Sequence, residues 1–140
     1  VSDTGTAGTT GTPGPGTVSD TGTAGPVPAP PRLPLAGALV NASDFAAFTP
    51  AQFGALRAAG AMLRTWGDAY GYFLVATGAA DVMIDPVCET WDLAPMPVIL
   101  AEAGGVFTDV AGNPSYTSRN GVASNGPLHP AVLEAMNAGS

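Results

Sequence analysis

The chain is 140 residues long, 46% hydrophobic and 11% charged, and its four basic residues, all arginine, stand against eleven acids for a formal net charge of −7. That balance excludes direct nucleic-acid binding, which needs a basic patch, and leaves an anionic ligand to be held through metal ions or helix N-termini. The length suits one domain plus a tail, and a single cysteine, Cys88, rules out an internal disulfide and fits a reducing compartment.

No charged segment followed by an apolar core opens the chain, and no apolar run reaches membrane-spanning length. The expectation is a cytoplasmic protein without a membrane or nucleic-acid partner. The first residue is Val rather than Met, which fits a cut piece or a non-standard start.

Residues 1–32 form a low-complexity Gly/Thr/Pro-rich stretch in which VSDTGTAG occurs at Val1 and again at Val18. With almost nothing large and apolar to bury, it cannot offset the entropy of ordering, so a disordered N-terminal tail is expected. From residue 33 to 140 the composition becomes that of a folded α/β segment. TPAQFGALRAAGAML predicts a helix with Thr49 as N-cap, Pro50 at the first helical position and Gln52 closing a capping box. Phe53, Leu56, Gly60 and Leu63 then share one face. GDAYGYFLVATG predicts a second helix, with Tyr70, Phe73, Leu74 and Thr77 at helical spacing and Gly78 as its stop. ADVMID alternates and ends at Pro86, as a strand does.

WDLAPMPVILAEAGG predicts a third helix from Trp91 to Ala103, stopped by Gly104-Gly105. Pro95 lies where first-turn N–H groups have no intrahelical partner; Pro97 falls just beyond that zone and should distort the helix. GVFTDV reads as a strand, AGNPSYTSRN as a loop, GVASN as a short strand and HPAVLEAMN as a closing helix opened by Pro130. Alternating strands and helices point to a layered α/β arrangement.

The chemistry concentrates in a few acids. Asp92 opens the third helix, where a carboxylate can accept orphan N–H bonds and complement the helix dipole. Asp85 ends a strand seven residues earlier, and strand ends in open α/β sheets are where ligands bind. Two acids converging at a strand end and a helix start also make a hard-cation or cationic-ligand site, and the spacing alone does not decide between that and capping. Asp68 has the same two readings at the start of the second helix, with Arg64 available as an ion-pair partner.

Trp91-Asp92, Glu102-Ala103-Gly104-Gly105 and Asp109, flanked by RTWGDAYGYFLVATGAADVMID and GVASNGPLHPAVLEAM, resemble the C-terminal half of the inositol-monophosphatase-like family. RTWGDAYGY, the proline of PVILAEAGG and ASNGPLHPAVL are similar to its histidinol-phosphatase branch. The resemblance covers about residues 39–136. It implies half of a layered α/β/α/β/α sandwich and magnesium-dependent hydrolysis of a phosphate monoester, with histidinol phosphate as substrate. Inositol phosphate or a related sugar phosphate is the alternative. It further implies Asp92 as a ligand of Mg²⁺, and Asp85 with the turn Gly67, Asp68 and Ala69 as substrate contacts. Histidinol phosphate carries an ammonium and an imidazole besides its phosphate, and Asp68 and Asp85 suit that cationic end.

The family's remaining metal ligands, a glutamate and a DPxDGT motif, are missing from the sequence, so no complete catalytic set is present. The chain alone is therefore expected to be inactive, and to depend on a complementary N-terminal half or on pairing as a homodimer. The rival from another class is a non-catalytic remnant or interaction module.

Overall fold

The computed structural model describes residues 34–139, so the tail expected over residues 1–32 lies outside the described residues. In chain order the elements are β1 (Leu39–Ala42), a 3₁₀ turn (Phe45–Ala47), α1 (Pro50–Ala58), β2 (Met62–Arg64), α2 (Asp68–Ala76), β3 (Val82–Asp85), α3 (Thr90–Leu93), α4 (Met96–Glu102), β4 (Val106–Thr108), β5 (Gly121–Ser124) and α5 (His129–Met136). The strands form one mixed sheet in the order β2-β1-β3-β5-β4. β1 pairs in parallel with β2 and β3, while β5 pairs antiparallel with β3 and β4, so β5 alone runs against the rest.

Side-chain alternation along the strands divides the core between the two faces of the sheet. Val40, Ala42, Val82, Ile84 and Val122 pack with Leu56 of α1 and Val132 and Met136 of α5. Met83, Phe107 and Ala123 pack on the opposite face with Tyr72, Leu74 and Val75 of α2, Leu93 of α3, and Met96 and Leu100 of α4. β3 forms where ADVMID predicts a strand and is buried at all four residues because helices cover both its faces.

α1 starts as its sequence dictates. The Gln52 N–H donates to Thr49 Oγ1 at 3.2 Å and the Thr49 N–H donates to Gln52 Oε1 at 3.0 Å. It ends earlier than its apolar spacing predicts. Gly60 at φ +79° reverses the chain, and Met62–Arg64 leaves as β2, so Leu63 belongs to a strand. On α2, Leu74 of the expected face is buried, but Tyr70 and Phe73 point to solvent, each 57% exposed, and Gly71, Tyr72 and Val75 are buried beside Leu74. Gly71 permits this close approach: a β-carbon there would fall 2.4 Å from Met83 Sδ and 2.5 Å from the Trp66 carbonyl oxygen. The third expected helix is two. The break falls at Ala94-Pro95, and Pro97 sits in the first turn of α4, inside the zone where its missing N–H costs nothing.

His129 at the head of α5 ties the antiparallel end together. Thr108 Oγ1 donates its only proton to the Asp109 carbonyl at 2.7 Å, so it accepts from His129 Nε2–H at 2.9 Å. His129 Nδ1 then accepts from Ser124 Oγ at 2.8 Å. The imidazole is neutral and satisfied at both nitrogens, and burial lowers its pKa.

The unfolded chain binds the histidine proton near its ordinary value, while the fold resists it, so stability falls as pH drops through that range. Urea unfolding should show a midpoint that declines as pH falls from about 7 to about 5, and a shallower decline for His129→Gln. Removing the capping hydroxyl with Thr49→Ala should cost about 1 kcal/mol in the same assay at neutral pH.

Candidate functional site

β1 and β3 run in parallel, so their C-terminal ends emerge side by side, beside the first turn of α2. β1 delivers Ser43, β3 delivers Asp85, and α2 begins at Gly67 and Asp68. A cleft of about 220 Å³ opens there, lined by Asp68, Ala69, Tyr72, Asp85, Cys88 and Asp92. Three carboxylates surround it and no basic side chain does, so it attracts cations and repels a bare phosphate. A larger groove, about 600 Å³, runs along the outer edge of β2 past Phe53, Arg57 and Arg64, but holds no acid.

Asp85 is only 2% exposed. The Tyr72 hydroxyl donates to its Oδ2 at 3.0 Å and the Ser43 N–H donates to its Oδ1 at 3.3 Å. Burial raises its pKa, the hydrogen bonds from Ser43 and Tyr72 oppose that rise, and the charge of Asp68 adds to it. The Tyr72 hydroxyl is itself pushed far up by burial and then by Asp85, so it stays a proton donor. The Cys88 thiol is pushed up to about 11 by burial and by the charges of Asp85 and Asp92, which leaves it protonated and a poor nucleophile.

Asp68 stands at φ +53°, a left-handed conformation that side chains disfavour, and its N–H donates to Ser43 Oγ at 2.9 Å. Gly67, not Asp68, occupies the N-cap of α2. It must be glycine, because a β-carbon there would lie 2.2 Å from Ser43 Cα. Asp92 is exposed on the third residue of α3, whose N-cap is Glu89. No described group donates a hydrogen bond to the Asp92 carboxylate, so the capping reading of this residue does not hold. Arg64 pairs with neither acid; its Nη1 donates to the Leu63 carbonyl at 2.8 Å. One layer below Ser43 and Asp85, fully buried Asn41 has no described partner for either side-chain atom, an arrangement that costs about 1–3 kcal/mol.

The structure thus brings Asp68, Ala69, Asp85 and Asp92 into one cleft and sets Gly67 behind it against Ser43. Sequence reasoning missed Ser43 and Tyr72. Tyr72 was within reach, because it lies four residues beyond Asp68 and hence on the same side of α2. Ser43 was not, because β1 is short and its end carries no distinctive signal. Among the described residues no group of three or more His, Cys, Asp or Glu could hold a metal ion. Mg²⁺ takes six oxygen ligands in near-octahedral geometry, so Asp92 offers at most part of a site. No described helix is long and apolar enough to cross a membrane.

The model of the inositol monophosphatase family matches residues 38–139. The chain belongs to the inositol monophosphatase family. Its relatives include the histidinol-phosphatase of Streptomyces coelicolor, 42% identical over 74 residues that make up 53% of this chain and 28% of the relative. The histidinol-phosphatase of Mycobacterium tuberculosis is 42% identical over 77 residues, 55% of this chain and 30% of the relative. Human inositol monophosphatase 1 is 45% identical over 53 residues, 37% of this chain and 19% of the relative.

The same fold recurs in the Thermotoga maritima IMPase, with a TM-score of 0.62 at 23% identity over 76% of this chain and 44% of that one. It recurs also in an IMPase/NADP phosphatase solved with Mg²⁺ and phosphate, with a TM-score of 0.63 at 20% identity over 80% of this chain and 44% of that one. The chain therefore spans about 30% of the histidinol-phosphatases it matches and under half of the solved chains.

Because burial raises the pKa of Asp85, the folded state holds its proton to higher pH than the unfolded chain does. The ionised form costs stability that is lost as pH rises through the carboxylate range. Wild type should be most stable relative to Asp85→Asn near pH 4, and the comparison should shift toward the variant as pH rises to about 7. Urea midpoints of the two proteins across that range measure the shift.

Proposed function

We propose that this chain is the C-terminal portion of a magnesium-dependent histidinol-phosphatase, with Asp92 contributing one ligand to Mg²⁺ and Asp85, Asp68, Ala69 and the Gly67 turn facing the substrate. The observation that carries the reading is the convergence of Asp68, Asp85 and Asp92 on one cleft free of basic groups, at the ends of parallel strands. An ammonium or imidazolium is the substrate end that such a cleft favours. The two histidinol-phosphatase relatives and the IMPase/NADP phosphatase solved with Mg²⁺ and phosphate support the same direction. Bound Mg²⁺ would polarise the phosphoryl group and activate water. The described residues alone do not complete its coordination, so no step of hydrolysis is assigned to them.

The proposal includes dependence on a complementary N-terminal half. Tyr70, Phe73, Trp91, Val98 and Ile99 lie exposed on α2, α3 and α4, on the side of the sheet that carries the cleft. Such an apolar surface favours being covered by another polypeptide. The two activities proposed for the family, on histidinol phosphate and on inositol phosphate, differ in the charge of the leaving alcohol, and the acidic cleft favours the first.

The test is phosphate release from histidinol phosphate and from inositol 1-phosphate. The chain is assayed alone and mixed with the N-terminal half of the Streptomyces coelicolor histidinol-phosphatase, each with and without Mg²⁺. Turnover of histidinol phosphate is expected only in the mixture with Mg²⁺, and Asp92→Asn should lower it by about a hundredfold or more, the loss typical of removing a key electrostatic group. Preference for inositol phosphate would overturn the substrate assignment. A folded mixture without turnover would favour a non-catalytic remnant.

A further inference from the structure

The segment between β3 and α3 sets where Asp85 and Asp92 stand relative to each other, and one residue outside the cleft holds it by two links. The Cys88 N–H donates to the Arg119 carbonyl at 2.8 Å, and the Arg119 guanidinium pairs with the neighbouring Glu89 carboxylate. Arg119 lies in the loop between β4 and β5 and stands at φ +56°. Among the described non-glycine residues only Arg119 and Asp68 have positive φ, and Asp68 lines the cleft itself. Strained backbone of this kind persists where surrounding contacts over-determine it, and it gathers at functional sites. The start of β5 is also pressed against α3: a β-carbon on Gly121 would fall 3.1 Å from Leu93 Cδ2 and 2.9 Å from Phe107 Cε2.

We propose that Arg119 is a positioning residue for the acidic cleft. Its carbonyl and guanidinium together clamp Cys88 and Glu89, and thereby fix the spacing of Asp85 and Asp92. The carbonyl link orients the backbone and any residue can make it. The guanidinium link supplies the side-chain restraint and fails when its charge is screened or removed. The functional meaning of the clamp rests on the reading of the cleft given above, but the clamp itself is measurable without turnover.

Cys88 is the chain's one cysteine and sits within the clamped segment, so its alkylation by iodoacetamide reports how often that segment opens. Rates are measured on the full 140-residue chain across pH, which separates a change in thiolate fraction from a change in access. Arg119→Gly suits the left-handed backbone and removes only the side chain. It should label about two- to fivefold faster, the range expected for losing one solvent-exposed ion pair, with Tm unchanged. Arg119→Lys should recover most of the protection. Glu89→Gln should match Arg119→Gly, and the double variant should add nothing to either alone. Once the rates are corrected for thiolate fraction, which salt also raises by screening Asp85 and Asp92, raising salt should speed labelling of wild type toward the variants while leaving the variants where they are.

Wild-type labelling rates in Arg119→Gly and Glu89→Gln overturn the proposal. So does faster labelling that comes only with a lowered Tm and without salt dependence, because that is the mark of general loosening. Absent phosphate release from the Mg²⁺-containing mixture with the N-terminal half, together with the expected labelling pattern, counts against the phosphatase reading and leaves the clamp standing.

Discussion

A carboxylate buried at the end of a strand is the constraint around which the cleft is built. Asp85 lies out of water between the Tyr72 hydroxyl and the Ser43 N–H, so one side chain joins β3 to α2 and to the end of β1. Desolvating a carboxylate costs several kcal/mol unless it is well solvated by protein dipoles, and two hydrogen bonds offset only part of that cost. The raised pKa records the remainder. Ser43 extends the same network through its hydroxyl to the N–H of Asp68, and Gly67 allows the two chains to approach closely enough for that bond. Strand ends, helix start and acids are thereby fixed as one unit.

The two faces of the sheet are finished differently. On the side of α1 and α5, aliphatic residues from three strands meet Leu56, Val132 and Met136, with Phe45, Phe48 and Phe53 closing one edge. On the side of α2 and α4, the inner surface is also buried, but the helices present Tyr70, Phe73, Trp91 and Val98 outward. Tyr70 and Phe73 stack on each other at 6.3 Å, which lessens the water-exposed ring surface without removing it. The cleft opens on that same apolar side. A chain that covers under half of its solved relatives has its acids and its uncovered apolar surface on one face, and the proposed complementary half draws its support from that coincidence.

Much of the fold was legible in the sequence because its signals are local. Thr49-Pro50 with Gln52 specifies a helix start through bonds within four residues, and Gly78 and Pro130 punctuate their helices as expected. Two strands, β1 and β2, escaped because neither carries a local strand signal: β2 continues the apolar spacing that predicts α1, and both take their conformation from pairing with each other across α1. The same holds for the split of α3 from α4. Proline positions announce a disturbance, but where the axis breaks depends on packing Leu93 and Met96 into a single core.

What the sequence determined by itself was the acid-rich, lysine-free composition, the alternation of strands and helices, and the acids at element boundaries, since these follow from residue type and spacing. Only the tertiary structure decided which acids meet. Asp68, Asp85 and Asp92 come from three elements, and their convergence depends on the parallel pairing of β1 and β3 and on how α2 and α3 sit above them. Tertiary packing also decided the inward face of α2, because Gly71 lets the helix settle on Met83 and turns Tyr72 toward Asp85. Propensity and spacing act within a few residues of chain, whereas burial and charge at the cleft are set by residues more than forty positions apart, such as Ser43 and Asp85.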